Sequence, residues 1–178
     1  MSPEYVQERT RQVAYHEAGH VVAIIVFGVE TIGRVYIEEE DDICGQTFSL
    51  KPSTDSVSPE EALRIVACLM VSTFAGPAAE RLFFTTLSRE DHCESDYSRA
   101  RSLPEEHNTL PPGSRQVGDQ KYDEFVAITS SKADLLVREQ QEAISSLAEA
   151  LLLRRELNSK EIEECVRPHL VGARIVPL

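Results

Sequence analysis

The sequence predicts a mainly α-helical domain with a small β-hairpin beside its functional site. Apolar residues recur at helical spacing over most of the 178 residues, and 42% of the residues are hydrophobic. The segment 32–50 instead has the β-branched, alternating pattern of strands. A chain of this length can bury one core, and neither a composition shift nor an internal repeat marks a boundary, so we expect residues 1–178 to form a single domain.

The first predicted helix covers residues 3–27. Pro3 suits the first turn of a helix, and Gly28 is a residue that commonly follows a helix end. The helix contains the segment 13–22, which reads Val-Ala-Tyr-His-Glu-Ala-Gly-His-Val-Val and includes a His-Glu-x-x-His motif.

This motif indicates a zinc hydrolase. A helix places His16 and His20 one turn apart on one face, with Cβ atoms about 5–6 Å apart, so both imidazoles can bind one ion. Glu17 flanks that ion without binding it and can act as a general base on a water whose pKa zinc lowers from 15.7 to about 7. The flanking residues are apolar, as a metal site requires. The alternative is two partly buried histidines on an amphipathic helix.

Residues 32–50 predict a β-hairpin. The run 32–37 is β-branched and aromatic, and 44–50 alternates like a second strand. We expect the five acids at 38–42 to form a solvated turn, with a weak cation site as the alternative. That second strand either offers an unpaired edge to an extended peptide or merely caps the core.

Two helices follow. The first, over residues 58–84, is apolar around most of its circumference and carries one acid, Glu80, which calls for a polar partner or a metal because an unpaired buried charge is costly. The second, over residues 95–103, carries Asp96 and is predicted to end at Pro104.

The rest of the chain begins with a predicted loop at 108–118, which contains Pro-Pro-Gly. Residues 119–167 lack Gly and Pro and repeat apolar residues at helical spacing, which predicts one long helix or two. Asn158 and Glu161 are predicted to cap a final short helix.

A catalytic zinc usually has three protein ligands, so a third is needed. Position 26 is Val, which excludes the short continuation with a third His six residues after His20. The candidates are two acids and two loop histidines that we expect to be solvated: Glu80, Asp96, His92 and His107. The residues alone do not choose between Glu80 and Asp96.

Composition narrows the function classes. The net charge of -12 argues against nucleic-acid binding and hints that acidic peptides would be poor substrates. The apolar run 21–27 is far shorter than the ~20 residues of a membrane span, and the chain begins with polar and charged residues, so we expect a cytoplasmic protein. The four cysteines form no Cys-x-x-Cys pair and are expected to be reduced, small core residues.

Residues 13–22 resemble the zinc-binding helix in the peptidase domain of the FtsH-type AAA proteases, and weaker matches follow in that family's order. The segment 45–47 resembles its active-site strand, 75–80 its Gly-Gly-Arg-Ala-Ala-Glu helix, and 95–97 its Asn-Asp-Leu segment. Residues 147–152 resemble its C-terminal helices, so that the resemblance covers about residues 5–165.

The resemblance implies a mainly helical zinc-peptidase domain with one zinc ion per chain, held by three ligands: His16, His20 and Asp96. It makes Glu17 the general base and Glu80 an acid that orients a ligand histidine. It also implies that substrate lies extended along the strand segment formed by Gly45, Gln46 and Thr47.

We therefore expect a zinc-dependent endopeptidase that hydrolyses flexible or unfolded polypeptides without ATP by itself, because the family's ATPase module and membrane anchor do not precede the motif in these 178 residues. The alternatives are a catalytically silent metal-binding or oligomerising adaptor, and the peptidase fragment of a larger AAA protease. The expected partner is a polypeptide substrate. A homo-oligomer and a separate partner that delivers substrate are both compatible with the sequence.

Overall fold

The computed structural model describes residues 2–38, 43–84 and 90–172, with the side chains of residues 90–92 left out. Within these residues the helices are α1 (Pro3–Phe27), α2 (Pro59–Phe83), α3 (Glu90–Glu106), α4 (Gln120–Glu139), α5 (Gln141–Arg154) and α6 (Ser159–Val166). The strands are β1 (Thr31–Glu38), β2 (Cys44–Leu50) and β3 (Glu156–Asn158), and a short 3-10 turn, Arg167–His169, follows α6. The predicted fold class, mainly α with a small sheet, is confirmed. Most of the acidic run at 38–42 lies outside the described residues.

The core is built around α1 and α2, which approach each other closely at Gly19. A Cβ at Gly19 would lie 2.5 Å from the Ala75 carbonyl oxygen and 2.9 Å from the Ala79 Cβ, so only glycine allows this packing. Among the described helices, α2 is long and apolar enough to cross a membrane, and 83% of its apolar stretch is buried inside the fold. The helix pair therefore forms a closely packed part of the core.

Residues at the ends of α1 agree with the predicted bounds. Ser2 accepts a hydrogen bond from the Tyr5 backbone N–H, and Pro3 begins the helix. Gly28 ends it in the left-handed conformation, with φ of 63°, which glycine adopts without strain.

The sheet is antiparallel in the order β2-β1-β3, so β2 lies at an edge of the sheet as far as the structure describes it. The strand β3 was not predicted, since its three residues carry no strand pattern of their own. It forms because Arg155, with φ of 68°, turns the chain sharply after α5 and places Leu157, fully buried, opposite Val35.

Two sequence predictions need correction or completion. The helix expected at 95–103 begins at Glu90 and continues past Pro104 to Glu106, which forms an ion pair with Arg99 about two turns earlier. The stretch 119–167 forms more than one helix. The helix α4 ends at Glu139, and the next residue, Gln140, is buried with its side chain hydrogen-bonded to the backbone of Val171.

Of the remaining local predictions, those for the final helix cap and the 108–118 loop are confirmed, and the one for the cysteines is partly wrong. The Asn158–Glu161 capping box is present, and the 108–118 segment is a loop. None of the four cysteines forms a disulfide. Cys68 and Cys93 are buried and Cys165 is partly buried, whereas Cys44 is exposed, which contradicts its assignment to the core.

Candidate active site

The two motif histidines face each other across one turn of α1. Their Nε2 atoms lie 3.0 Å apart, and their rings are nearly perpendicular. Two ligands of a tetrahedral zinc at about 2.0–2.1 Å each lie roughly 3.3 Å from one another. The spacing of His16 and His20 therefore fits a single zinc ion.

Asp96 on α3 completes a group of three donors. Its Oδ2 lies 2.9 Å from the His16 Nε2, and its Oδ1 lies 3.7 Å from the His20 Nε2. The three donor atoms lie within 4.8 Å of one another. Two imidazoles and a carboxylate are a donor set that zinc accepts, so the residues present fit the metal.

Glu80 contacts the other nitrogen of His16. Its Oε1 lies 2.6 Å from the His16 Nδ1, which faces away from the His20 ring. The His20 Nδ1 lies 2.8 Å from the Ser72 backbone oxygen and donates to it. Both outer nitrogens are thus held by α2, and this fixes the directions in which the two Nε2 atoms point.

Gly76 on α2 provides the space for this pair of rings. A Cβ at Gly76 would lie 2.5 Å from the His20 Cε1, 2.7 Å from the His16 Nε2 and closer still to the His20 Nε2. Sequence reasoning did not assign Gly76 to the site. The available signal was a glycine inside a helix whose other residues are apolar.

Glu17 is buried, with 6% of its surface exposed, on the side of α1 that faces β2. Thr47 donates a hydrogen bond from Oγ1 to the Glu17 Oε2 at 2.7 Å. Gly45 lies directly against the acid, since a Cβ there would lie 2.6 Å from the Glu17 Cγ. The Gln46 side chain instead accepts a hydrogen bond from the Tyr36 hydroxyl, as strand alternation requires. Of the three predicted strand residues, Gly45 and Thr47 therefore contact the base and Gln46 contacts Tyr36.

The site is strongly coupled electrostatically. Burial disfavours the charged form of His16, but contacts with Asp96, Cys93 and Glu80 and the charge of Glu17 outweigh it and raise the His16 pKa well above its ordinary value. Burial likewise opposes ionisation of Asp96, yet the His16 contact and the charges of His20 and His16 lower the Asp96 pKa. A metal ion binds only the neutral imidazole, so metal binding at His16 competes with protonation of this ring.

A thiol also lies at the rear of the site. The Cys93 sulfur forms a buried group with one His16 nitrogen and one Glu80 oxygen, all within 4.8 Å of one another. Of the two histidines expected in loops, His107 is not among the donors that the described residues bring together here, and His92 lies in α3 rather than in a loop. His107 lies 3.1 Å from the Thr54 hydroxyl, and the side chain of His92 lies outside the described residues.

The donors and the acid open into a cleft of about 550 Å³ between α1, α3 and β2. This volume is in the range of ligand-binding pockets. The motif residues His16, Glu17 and His20 all line this cleft, and residues of the edge strand β2 line it as well.

Comparison with known proteins gives distant similarity. No family model matches the chain. An ATP-dependent zinc metalloprotease FtsH from Aster yellows witches'-broom phytoplasma (strain AYWB) is 23% identical, over 93% of this chain and 27% of the relative. An ATP-dependent zinc metalloprotease FtsH 1 from Sorangium cellulosum (strain So ce56) is 26% identical, over 88% of this chain and 30% of the relative. The chain spans less than a third of the length of these relatives. The similarity suggests an FtsH-related protein with a function related to that of zinc metalloproteases.

Proposed function

We propose that the chain is a zinc-dependent endopeptidase in which His16, His20 and Asp96 hold the metal and Glu17 is the general base. The observation that carries the proposal is the convergence of three donors beside a buried acid that is not one of them. Glu80 contacts the far side of the His16 ring, so we assign it the role of orienting that ligand.

When bound, zinc supplies a Lewis acid that polarises the scissile carbonyl and makes a nucleophile of water at neutral pH. Glu17 takes the proton of the attacking water on its carboxylate and passes it to the leaving amine. Thr47 holds one carboxylate oxygen of Glu17 at 2.7 Å, which restricts the acid to one orientation. Gly45 leaves room for the acid to approach the strand.

The proposed substrate is a flexible or unfolded polypeptide. The edge of β2 offers backbone hydrogen-bonding groups beside Glu17, and an extended chain can add to such an edge. A folded protein cannot present an extended segment there without local unfolding. We therefore propose that the chain acts on flexible segments without ATP by itself, and that a separate partner delivers stable substrates.

A second candidate is the peptidase part of a larger ATP-dependent protease. It is favoured by the similarity to relatives of which this chain covers only 27% and 30%. Both candidates use the same metal site, and they differ in where the unfolding activity resides.

The test replaces Glu17 by glutamine. Glu17→Gln should keep one zinc per chain, measured by elemental analysis, and lose at least about 100-fold in the hydrolysis of a casein-type unfolded substrate. Glu4→Gln is the matched control, because Glu4 is an exposed acid on the same helix. Parental activity in Glu17→Gln would refute the assignment of the base. An Asp96→Ala variant that still retains zinc after dialysis against a weak chelator would refute the assignment of the third ligand.

A further inference from the structure

The cleft carries cations that the proposed reaction does not use. Its described lining includes three of them, Arg9, Lys51 and Arg99. Of the four described carboxylates that line the same cleft, Glu17, Glu80 and Asp96 belong to the proposed metal site or contact it, and Glu30 lies apart from it. The chain as a whole has a net charge of -12. The part of the lining away from the proposed metal site therefore has an excess of cations, unlike the chain as a whole, and this raises the question of which ligand these cations bind.

Two of these cations, Lys51 and Arg99, line the same cleft from different elements. Lys51 comes directly after β2, and Arg99 lies one turn beyond Asp96 on α3. Burial of its stem and the charge of Arg99 lower the pKa of Lys51, against the opposing charges of Glu30 and Glu106. The two like charges thus act on each other, and an anion placed between them would relieve that repulsion.

The acids nearby do not saturate this pair. Arg99 forms an ion pair with Glu106 at 3.2 Å, and both side chains are 40% exposed or more. An exposed ion pair of this kind contributes about 0–1 kcal/mol, and a guanidinium has five N–H donors. Glu30 accepts a hydrogen bond from the Ser49 hydroxyl at 2.5 Å. Arg99 and Lys51 therefore retain donors for a further carboxylate.

Contacts along β2 give the distance of this pair from the base. Gly45 lies against Val13 and Glu17, Thr47 bonds Glu17, and Ser49 bonds Glu30 beyond the end of α1. The strand therefore runs from the base toward the Lys51 end of the cleft. Lys51 is four residues past Thr47, about 13 Å along an extended chain.

We propose that Lys51 and Arg99 bind a carboxylate of the polypeptide substrate, about three to five residues to one side of the scissile bond. This inference rests on the proposed peptidase function and names the substrate class: flexible segments with an acidic group at a fixed distance. The carboxylate comes either from an Asp or Glu side chain or from the substrate's C-terminus. The net negative charge of the protein repels strongly acidic peptides at long range. Lys51 and Arg99 instead bind a single carboxylate at short range.

The test measures binding separately from cleavage. Zinc-loaded Glu17→Gln protein is titrated with fluorescent ten-residue peptides, blocked at both ends, that carry a single Glu or Gln moved along the sequence. A second arm compares free-acid and amidated C-termini. We expect about three- to tenfold tighter binding for a carboxylate at one position, decreasing with added salt. Which arm shows the preference identifies the source of the carboxylate.

Variants then assign the preference to the two cations. Lys51→Gln with Arg99→Gln should abolish it, and Lys51→Glu with Arg99→Glu should reverse it in favour of lysine-containing peptides. Lys160→Gln with Arg167→Gln is the control for net charge, because both side chains are highly exposed on or just after α6. Thermal melting confirms that each variant is folded.

Equal binding of Glu and Gln peptides at every position, or a preference that survives charge reversal, would overturn the inference. Because Glu17→Gln is used for binding, these results stand whether or not the parental chain cleaves peptides. Failure of the parental chain to hydrolyse any peptide would instead count against the proposed function alone.

Discussion

Replacement of Gly76 by alanine should remove tight zinc binding while leaving the chain folded. The added Cβ would lie 2.5 Å from the His20 Cε1 and 2.7 Å from the His16 Nε2. These distances are about 1 Å shorter than an ordinary contact of 3.5–4.0 Å. Retreat of the α2 backbone from α1 would break the close contact of Gly19 with Ala75 and Ala79. The imidazoles must therefore move.

The expected loss of zinc affinity can be estimated from the hydrogen bonds that hold the His16 and His20 imidazoles. Moving His16 breaks its 2.6 Å contact with Glu80, and moving His20 breaks its 2.8 Å bond to the Ser72 oxygen. A hydrogen bond to a charged group contributes about 1.5–3 kcal/mol, so loss of the first alone corresponds to roughly 10- to 150-fold in zinc affinity. Alanine has a higher helix propensity than glycine by up to about 1 kcal/mol, and the rings border an open cleft, so we expect the metal-free variant to stay folded.

The assay is competition for zinc against a chelator of known affinity, with thermal melting of the metal-free protein beside it. Gly33→Ala is the matched control, because its Cβ would lie 3.6 Å from the Phe48 carbonyl oxygen, an ordinary contact. Parental zinc affinity in Gly76→Ala would show that the two rings do not hold the metal in the arrangement described.

Three further predictions concern single side chains. Glu80→Gln should lower zinc affinity about 10- to 100-fold in the same competition assay, since it weakens the contact that orients His16, and an unchanged affinity would contradict that role. Ser72→Ala should raise the free energy of unfolding in urea by about 1 kcal/mol, because the Ser72 hydroxyl is buried without a hydrogen-bond partner among the described residues. Backbone N–H groups of Arg115 and Tyr122 lower the Asp119 pKa to about 2, so its ionised form stabilises the fold above the unfolded value of about 3.9 and that contribution is lost as pH falls toward 2. Asp119→Asn should therefore flatten the pH dependence of the melting temperature between about pH 4 and 2, and an unaltered slope would exclude this carboxylate as the cause.

Features that depend on local sequence could be predicted. The bounds of α1 and the capping box of α6 follow from cap residues and helical spacing, which act within a few residues of each other. The motif histidines and Glu17 were identified in the same way, because their relative positions are set by one helix. The strand β3 was missed because its pairing with β1 depends on a partner more than 100 residues away.

The choice between Glu80 and Asp96 could not be made from the residues, since both are acids on distant helices. The structure separates them by the ring nitrogen that each contacts: Nδ1 of His16 for Glu80, and Nε2 for Asp96. Spacing along the sequence contains no information on this, because which nitrogen an acid reaches depends on how α2 and α3 pack against α1. The resemblance to a known family implied different roles for the two acids. The packing of α2 and α3 against α1 gives a physical reason for that difference, because it brings each acid to a different nitrogen of His16.

The helix α2 provides none of the three proposed metal ligands, yet it carries the groups that orient the two histidines and the glycine that makes room for them. From α2 come the Glu80 carboxylate and the Ser72 carbonyl that orient the rings, and Gly76, which leaves space for them. Asp96 comes from α3 and orients neither Nδ1 atom. Loss of Asp96 should therefore weaken metal binding while preserving the histidine pair, whereas disturbance of α2 should disorder the pair itself. The directions of the rings depend on the packing of α1 on α2, so the close helix contact at Gly19 is also one on which the proposed chemistry depends.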